Sequence, residues 1–568
     1  MALKFAGVVW TNGEKPRIAE EIARILEPTS GGDLFEDRSD THYFRAIGWH
    51  GDPGASVRSS GGRLTVCNGD PVFSERIFAQ SDSRDQEVDY LHANLLDRFR
   101  DILPEANGSF CAVSVDTAGA RVVAATDKYG IYPLFYMATE DFFAFSTSIA
   151  IASLPVAGKA MDETGMAEIV ALGHNLSDHT PYQYVRRLYG GTAVDAAPPR
   201  CETAAYWRLI DTKPFQGNQS DFEQTLFDLF SDGIRRRLRK LKRVNAFLSG
   251  GLDSRCVVAG LRAAGAQVQT YNRSAPGSLD DILGGEIAAK LDTHHIADTA
   301  PVWSGDFWEE AAQKVTDTDF NADHPYEIWS GEGGSVCMGH VYVTPELVAA
   351  GSGGTLGNPE GLAKYGIFGP SMLPSIFEHD LRTRWANLSL SAVAQEFQSV
   401  KAGDGKRDIY AWLVLNEQAH HLDDFFENVE HHRMTAVLPF FDGRVIEAVY
   451  SAPIEWFLGH RLYHSWLHRF QPPVAQTAWQ PYPRHDPCPL PLPEGKSQFV
   501  MKPRRMSHVR QLNNEAARRC LAGDTGGRIR KGALFYHYLM QRLHAEARDW
   551  VWRKTGRIIQ AQKWISNE

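Results

Sequence analysis

The 568-residue chain has no uninterrupted apolar stretch of membrane-spanning length, and its N-terminus lacks the basic-then-apolar order of a signal peptide. The expectation is a cytoplasmic protein with no membrane partner. Cysteine is sparse: the seven residues, Cys67, Cys111, Cys201, Cys256, Cys337, Cys488 and Cys520, include no C-x-x-C pair. An odd, scattered set supports neither a disulfide framework nor a zinc site. Basic charge is not in excess either. The net charge of −10 argues against nucleic acid as the main partner. No internal repeat is present. What remains, 43% hydrophobic and 23% charged, is an ordinary globular composition, long enough for two or three cores.

The most informative stretch is Ser249-Gly250-Gly251-Leu252-Asp253-Ser254. It follows a short apolar run (Val244, Ala246, Phe247, Leu248) and precedes a helical pattern over 255–264. Strand, glycine turn and helix together aim backbone N–H groups at an anion, because a helix N-terminus carries unpaired donors and partial positive charge. Two glycines allow close approach to phosphate, and Ser249 and Ser254 add hydroxyl donors. Asp253 cannot hold phosphate directly; a carboxylate there suits a phosphate-bound Mg²⁺. No Lys follows the glycines, which excludes the Walker pattern.

Residues 1–200 are β-rich, with strands expected at 64–67, 109–115, 121–125, 134–137 and 142–146 and a helix near 88–99. Between about 195 and 220 the composition turns to Pro, Asn and Gln (Ala197-Pro198-Pro199, Pro214 to Ser220), and residues 201–221 are the expected linker. From 222 onward helices alternate with short apolar strands, suggesting an α/β unit with a largely parallel sheet that extends to 568. The proline-rich segment 472–493 is compatible with neither regular helix nor central strand. The tail from Lys502 is helical in pattern and basic, an asymmetry that fits a solvated face or an acidic partner.

The Ser249–Ser254 string resembles the pyrophosphate loop of the ATP pyrophosphatase group, which cuts ATP between its α- and β-phosphates. Asn68-Gly69-Asp70, Asn107-Gly108-Ser109-Phe110 and Asp127-Lys128-Tyr129-Gly130-Ile131-Tyr132-Pro133-Leu134-Phe135-Tyr136 resemble the glutaminase domain of asparagine synthetases. The resemblance implies an α+β Ntn-type sandwich domain followed by an α/β ATP-pyrophosphatase synthetase domain, acting with ATP and Mg²⁺. The glutamine-hydrolysing members carry Cys after the initiator Met. Here that position is Ala2, which has no nucleophilic atom, and Cys67 and Cys111 lack an adjacent α-amine. Glutamine hydrolysis is therefore not expected, and the domain is expected to serve as scaffold or docking surface.

Ser330-Gly331-Glu332-Gly333-Gly334-Ser335 resembles the family's S-G-E-G-x-D loop, and Gly339-His340-Val341-Tyr342 its G-G-Y. By that resemblance Glu332 lies beside the acyl-adenylate and accepts a proton from the attacking amine. Ser335 stands where the family has a metal-binding Asp, with Asp280 and Asp281 as conceivable replacements. Gly351-Ser352-Gly353-Gly354-Thr355 is a competing match without an acid. Leu438-Pro439-Phe440-Phe441-Asp442 resembles R-x-P-F-L-D. Asp423, Asp424, Glu427 and Glu430 have spacings that share a helical face, either lining an acceptor pocket or solvated. The flanking His420, His421, His431 and His432 match no zinc signature and read as surface or supporting groups. Lys496-Ser497-Gln498-Phe499 fits the family's K-x-x-F, whose Lys stabilises the transition states; Lys502 and Arg484 are alternatives.

These resemblances imply an ATP-dependent carbon–nitrogen ligase that adenylates a carboxylate and captures it with an amine. The missing nucleophile points to relatives whose amine lies on the substrate itself: lasso-peptide macrolactam cyclases, favoured by Glu332, or β-lactam synthetases, which carry Tyr there. The first implies a precursor peptide, a leader-binding protein and a protease as partners. Asparagine-synthetase-type amidation of a small carboxylate remains open, as does a catalytically degenerate protein that only binds ATP or peptide.

Overall fold

The computed structural model describes residues 2–11, 17–27, 31–49, 56–153, 161–299, 307–352, 377–483, 485–497 and 530. Its strands are β1 (Ala2–Trp10), β2 (Asp33–Arg38), β3 (His42–Trp49), β4 (Val57–Ser60), β5 (Arg63–Asp70), β6 (Ser109–Asp116), β7 (Val122–Thr126), β8 (Phe135–Ala138), β9 (Phe142–Ser146), β10 (Arg186–Arg187), β11 (Thr192–Ala197) and β12 (Arg200–Ala205) in the first domain. The second contributes β13 (Arg243–Phe247), β14 (Gln267–Arg273), β15 (His294–Asp298), β16 (Glu327–Trp329) and β17 (Thr435–Val437). Helices α1 (Arg17–Ile25), α2 (Arg84–Ile102) and α3 (Glu163–Ala171) precede α4 (Gln219–Leu238), α5 (Asp253–Ala263), α6 (Leu279–Lys290) and α7 (Phe307–Thr316).

The first domain stacks two antiparallel sheets, ordered β10-β8-β9-β1-β3-β2 and β12-β11-β7-β6-β5-β4. Alternation along β1 explains the stacking. Leu3, Phe5 and Val9 enter the core between the sheets, whereas Ala2, Ala6, Val8 and Trp10 face the cluster that takes in Ile18 and Ile22 of α1. On the other sheet Val88, Leu91, Leu95 and Phe99 of α2 cover Cys67, Phe110, Ala112 and Val123. The layers run helix, sheet, sheet, helix, the sandwich that the resemblance implies.

The second domain has a five-stranded parallel sheet ordered β15-β14-β13-β16-β17. The order turns back at β13, whose Ala246 pairs with Trp329 of β16. Loops leaving the C-terminal ends of neighbouring strands at such a switch point form the crevice where α/β proteins bind ligands. Those loops carry Ser249–Ser254 and Ser330–Ser335.

Three expectations change. Arg200–Ala205 belongs to the sheet as β12, so the connecting stretch begins later than residue 201. Within the proline-rich stretch, Pro472–Gln476 forms a short helix, because its prolines occupy first-turn positions that need no N–H acceptor. The acids at 423–430 do not share one helix: Asp423–Glu427 and Val429–His432 are separate, broken at Asn428 (φ −107°, ψ 24°). Asp423 instead pairs with Arg187 at 2.7 Å and Glu430 with Lys4 at 2.5 Å, both partners lying in the first domain. Apart from Arg530, the tail with Lys502 lies outside the described residues, as do Arg484 and Gly353-Gly354-Thr355.

The glutaminase-like motif forms the joint between the domains. Asp127 accepts four backbone N–H bonds, from Phe110, Tyr129, Ile131 and Tyr132, and so shapes the turn that follows. Out of that turn Lys128 reaches Glu447 at 2.8 Å, and Tyr129 donates its hydroxyl to the Gly443 carbonyl at 3.0 Å. Asp70 pairs with Arg239 of the second domain at 3.0 Å.

Asp442 anchors the far side of this joint. Against the desolvation of full burial, Arg444 and Arg237 hold its carboxyl down at about 2, below the ordinary 3.8. A depressed folded-state pKa stabilises the protein above the unfolded value and loses that contribution as pH falls through the folded one. The shift is worth about 2 kcal/mol, lost between roughly pH 4 and 2. Asp442→Asn should lower the urea midpoint at neutral pH and flatten its dependence in that window. A slope equal to that of the unsubstituted protein would contradict the assignment.

Candidate active site

β13 delivers the chain into the Ser249 loop, and Asp253 opens α5. Contrary to expectation, the loop's early N–H groups are engaged internally. Ser249 donates to the Ser254 hydroxyl at 2.9 Å, Gly250 to Asp280 at 2.7 Å, and Gly251 to the Ser249 hydroxyl at 3.2 Å. The donors that remain for an anion are those of the first turn of α5, which has no intrahelical acceptors. Asp280 thereby supports the loop through one carboxylate oxygen, and Asp281 accepts the Gly277 N–H at 2.8 Å.

The second glycine loop lies directly against the first. A Cβ on Gly331 would come within 2.6 Å of the Ser254 nitrogen, and one on Gly334 within 2.6 Å of the Asp253 carboxyl carbon. Both positions therefore need glycine for close approach, not for backbone conformation. The contact brings Ser335 to Asp253: its hydroxyl donates to Asp253 Oδ2 at 2.6 Å, while Tyr463 donates to Oδ1 at 2.6 Å. Ser335 thus orients the carboxylate in place of supplying a second one.

Burial pushes the Asp253 carboxyl up to about 6; the bonds from Ser335 and Tyr463 oppose this, and the charge of Glu332 adds to it. No Lys or Arg pairs with Asp253 among the described residues. An uncompensated carboxylate with spare oxygen lone pairs fits Mg²⁺, which takes one or two protein carboxylates and completes its shell from substrate phosphates and water. Among the described residues no group of three or more His, Cys, Asp or Glu could hold a metal ion unaided. The donor set therefore suits a metal that arrives with ATP.

Glu332 is partly exposed at the rim, its Oε2 2.9 Å from His421 Nε2. This contact raises the His421 pKa. Of the four histidines, His420 is pinned between Arg187 and Asp423, and His432 is buried against Phe425, so neither is a surface group. Lys496 is exposed, but its main chain is fixed: its carbonyl accepts the Leu279 N–H at 3.0 Å, beside the α6 turn that touches Gly250. The expected residues Ser249, Gly250, Gly251, Asp253, Ser254 and Glu332 come together around two touching loops, with Lys496 on the adjoining strand-like segment.

Residues 80–207 match the glutamine amidotransferase domain family, and residues 225–322 match asparagine synthase. In two successive segments the chain is thus similar, at a distance, to asparagine synthetases. Asparagine synthetase 3 (glutamine-hydrolyzing) of Bacillus subtilis strain 168 is 26% identical over 178 residues, 31% of this chain and 29% of that one. The asparagine synthetase (glutamine-hydrolyzing) of Cricetulus griseus is 29% identical over 212 residues, 33% of this chain and 34% of that one. The matched region therefore spans about a third of the length of these curated relatives. Glutamine phosphoribosylpyrophosphate amidotransferase from B. subtilis, complexed with ADP and GMP, aligns at 14% identity and a TM-score of 0.22, over 46% of this chain and 58% of that one. A likeness so slight carries no argument.

Two groups near the site carry no motif that would single them out. Tyr463 comes from a short helix, Arg461–Trp466, 210 residues beyond Asp253, with nothing local to mark it. Arg255 is fully buried beneath the loop, donating to the carbonyls of Gly250, Gly251, Val474, Thr477 and Ala478. Its position directly after the Ser249 string, in a run otherwise read as apolar helix, was the available signal.

Proposed function

We propose that this chain is an ATP-dependent carbon–nitrogen ligase of the asparagine synthetase type. A substrate carboxylate oxygen attacks the α-phosphorus of ATP and pyrophosphate leaves. An amine then attacks the acyl carbon, AMP leaves, and the nitrogen loses a proton. The observation that carries this reading is the Asp253 carboxylate, which no cation pairs among the described residues, where the two glycine loops touch. Asp253 would hold Mg²⁺, whose chemistry is to offset charge on the departing pyrophosphate. Ser335 and Tyr463 fix the direction of that carboxylate; the α5 first turn faces phosphate; Glu332 accepts the amine proton. Binding both reactants at one crevice lowers the entropic barrier to their meeting.

A finer reading is that the amine belongs to the substrate itself, as in macrolactam closure of a lasso-type precursor. The two buried thiols of the first-domain core favour it. Cys67 lies under α2 with its pKa pushed up to about 12 by burial, and Cys111 lies between the sheets, raised well above its ordinary value by burial. Neither is a usable nucleophile. Incubation with glutamine, ATP and Mg²⁺ should release no glutamate above background. Glutamate formation that Cys67→Ala or Cys111→Ala abolishes would overturn this. Supplying ammonium, or peptides bearing both amine and carboxylate, then separates the nitrogen sources. Loss of water from a peptide supports ring closure, whereas a strict ammonium requirement supports amidation of a small carboxylate.

Glu332 and Lys496 should separate the two half-reactions. Glu332→Gln should slow amide formation by about 10²-fold while leaving pyrophosphate exchange nearly intact, because proton removal belongs to the second step. Lys496→Ala should slow both steps, since negative charge develops on phosphate in one and on the carbonyl oxygen in the other. Unchanged kinetics for Lys496→Ala would move the role to Lys502 or Arg484.

A further inference from the structure

A cavity of about 510 Å³ lies between the two domains, next to the candidate active site. Its apolar wall includes Phe135, Ile169, Leu172 and Tyr182 of the first domain. Its polar wall comes from both domains: Glu417, His420, His421, Asp423 and Glu427 of the second face polar groups of the first, among them His179 and Arg187. His421 belongs to both places, since it lines the cavity and bonds to Glu332 at 2.9 Å.

The charges on the wall decide what the cavity can receive. Arg187 and His420 are both engaged by Asp423, each at 2.7 Å. His179 is held by Glu168 at 2.8 Å, and His421 by Glu332. The cationic groups are thus already matched. Glu417 is different: among the described residues its carboxylate accepts no hydrogen bond and has no ion-pair partner. Burial pushes its pKa up to about 7, with His421 pulling the other way. A half-buried carboxylate without a partner favours a cationic occupant over an anionic one. Volume narrows the class further. A small molecule such as ammonia takes roughly the ~30 Å³ share of a water, whereas cavities of roughly 300–1,000 Å³ take organic ligands.

We infer that this cavity seats a primary ammonium carried on an apolar stem, with Glu417 as its counter-charge and His421 leading to Glu332. That such an amine is the acceptor of the acyl group rests on the ligase reading; that it binds here does not.

Binding can be read without ATP. n-Butylammonium is titrated onto the full chain and followed by ligand-observed NMR, with butyrate and ammonium chloride as comparison probes. Saturable n-butylammonium binding is expected, tighter than for either comparison probe. Glu417→Gln, nearly the same in shape, should weaken it roughly tenfold or more. Ile169→Trp, which fills the opposite wall, should weaken it as well and guards against a folding defect specific to position 417. Absence of saturable binding, butyrate binding more tightly, or equal affinity in both variants would overturn the inference. AMP formation without n-butylammonium binding would sink this assignment alone. Binding without any ATP cleavage would sink the ligase reading and leave the cavity's assignment standing.

Discussion

Asp253→Asn should lower ATP cleavage by about 10²–10³-fold, the loss of roughly 3–4 kcal/mol of transition-state stabilisation. The substitution keeps the shape. An Asn oxygen still accepts from Ser335 or from Tyr463, so the loops should remain in contact. What disappears is the negative charge. Among the described residues no cation pairs with that charge, Glu332 lies close to it, and burial already holds the carboxyl up at about 6. A cation brought to the site would make such an arrangement favourable. The measurement is AMP formation at limiting Mg²⁺, with the melting temperature as the folding control. Turnover at the ordinary rate by a normally folded variant would remove Asp253 from the mechanism.

Arg255→Met should have the largest effect on stability, roughly 3–5 kcal/mol, because it deletes a buried charge that several carbonyls depend on. Arg255 ties Gly250 and Gly251 to residues 474–478 through donors at 2.7–3.3 Å. Burial lowers its pKa to about 10, so it stays charged near neutrality. With Met in place the carbonyls of Thr477 and Ala478 lose a donor and the Ser249 loop loses its floor. Urea denaturation should show a lower midpoint, and nucleotide binding should weaken together with it. Arg255→Lys should rescue little, since an ammonium cannot reach five carbonyls spread around a planar fork. An unchanged midpoint for Arg255→Met would show that the proline-rich segment is held by other means.

What the sequence made legible was local. The Ser249 loop stands out because strand, turn and helix are contiguous, and its switch-point location follows from the strand order. β5, β6 and α2 were legible from apolar runs and from period. β1 was not, because Ala2 to Trp10 is buried on both faces and shows no alternation of polarity. Distance in sequence hid the rest. Asp423 and Glu430 looked like a helical stripe, yet their partners Arg187 and Lys4 lie 236 and 426 residues away. Tyr463 and Glu417 carry no motif of their own. They become meaningful only when folding places one on Asp253 and the other in the interdomain cavity.

The bond cleaved in ATP tests the central claim most directly. Candidate carboxylates labelled with ¹⁸O are incubated with the protein, ATP and Mg²⁺, and the phosphorus products are followed by ³¹P NMR and mass. The account predicts AMP and pyrophosphate in equal amounts, with one carboxylate ¹⁸O carried into AMP. ADP and orthophosphate, with no label in the nucleotide, would contradict it.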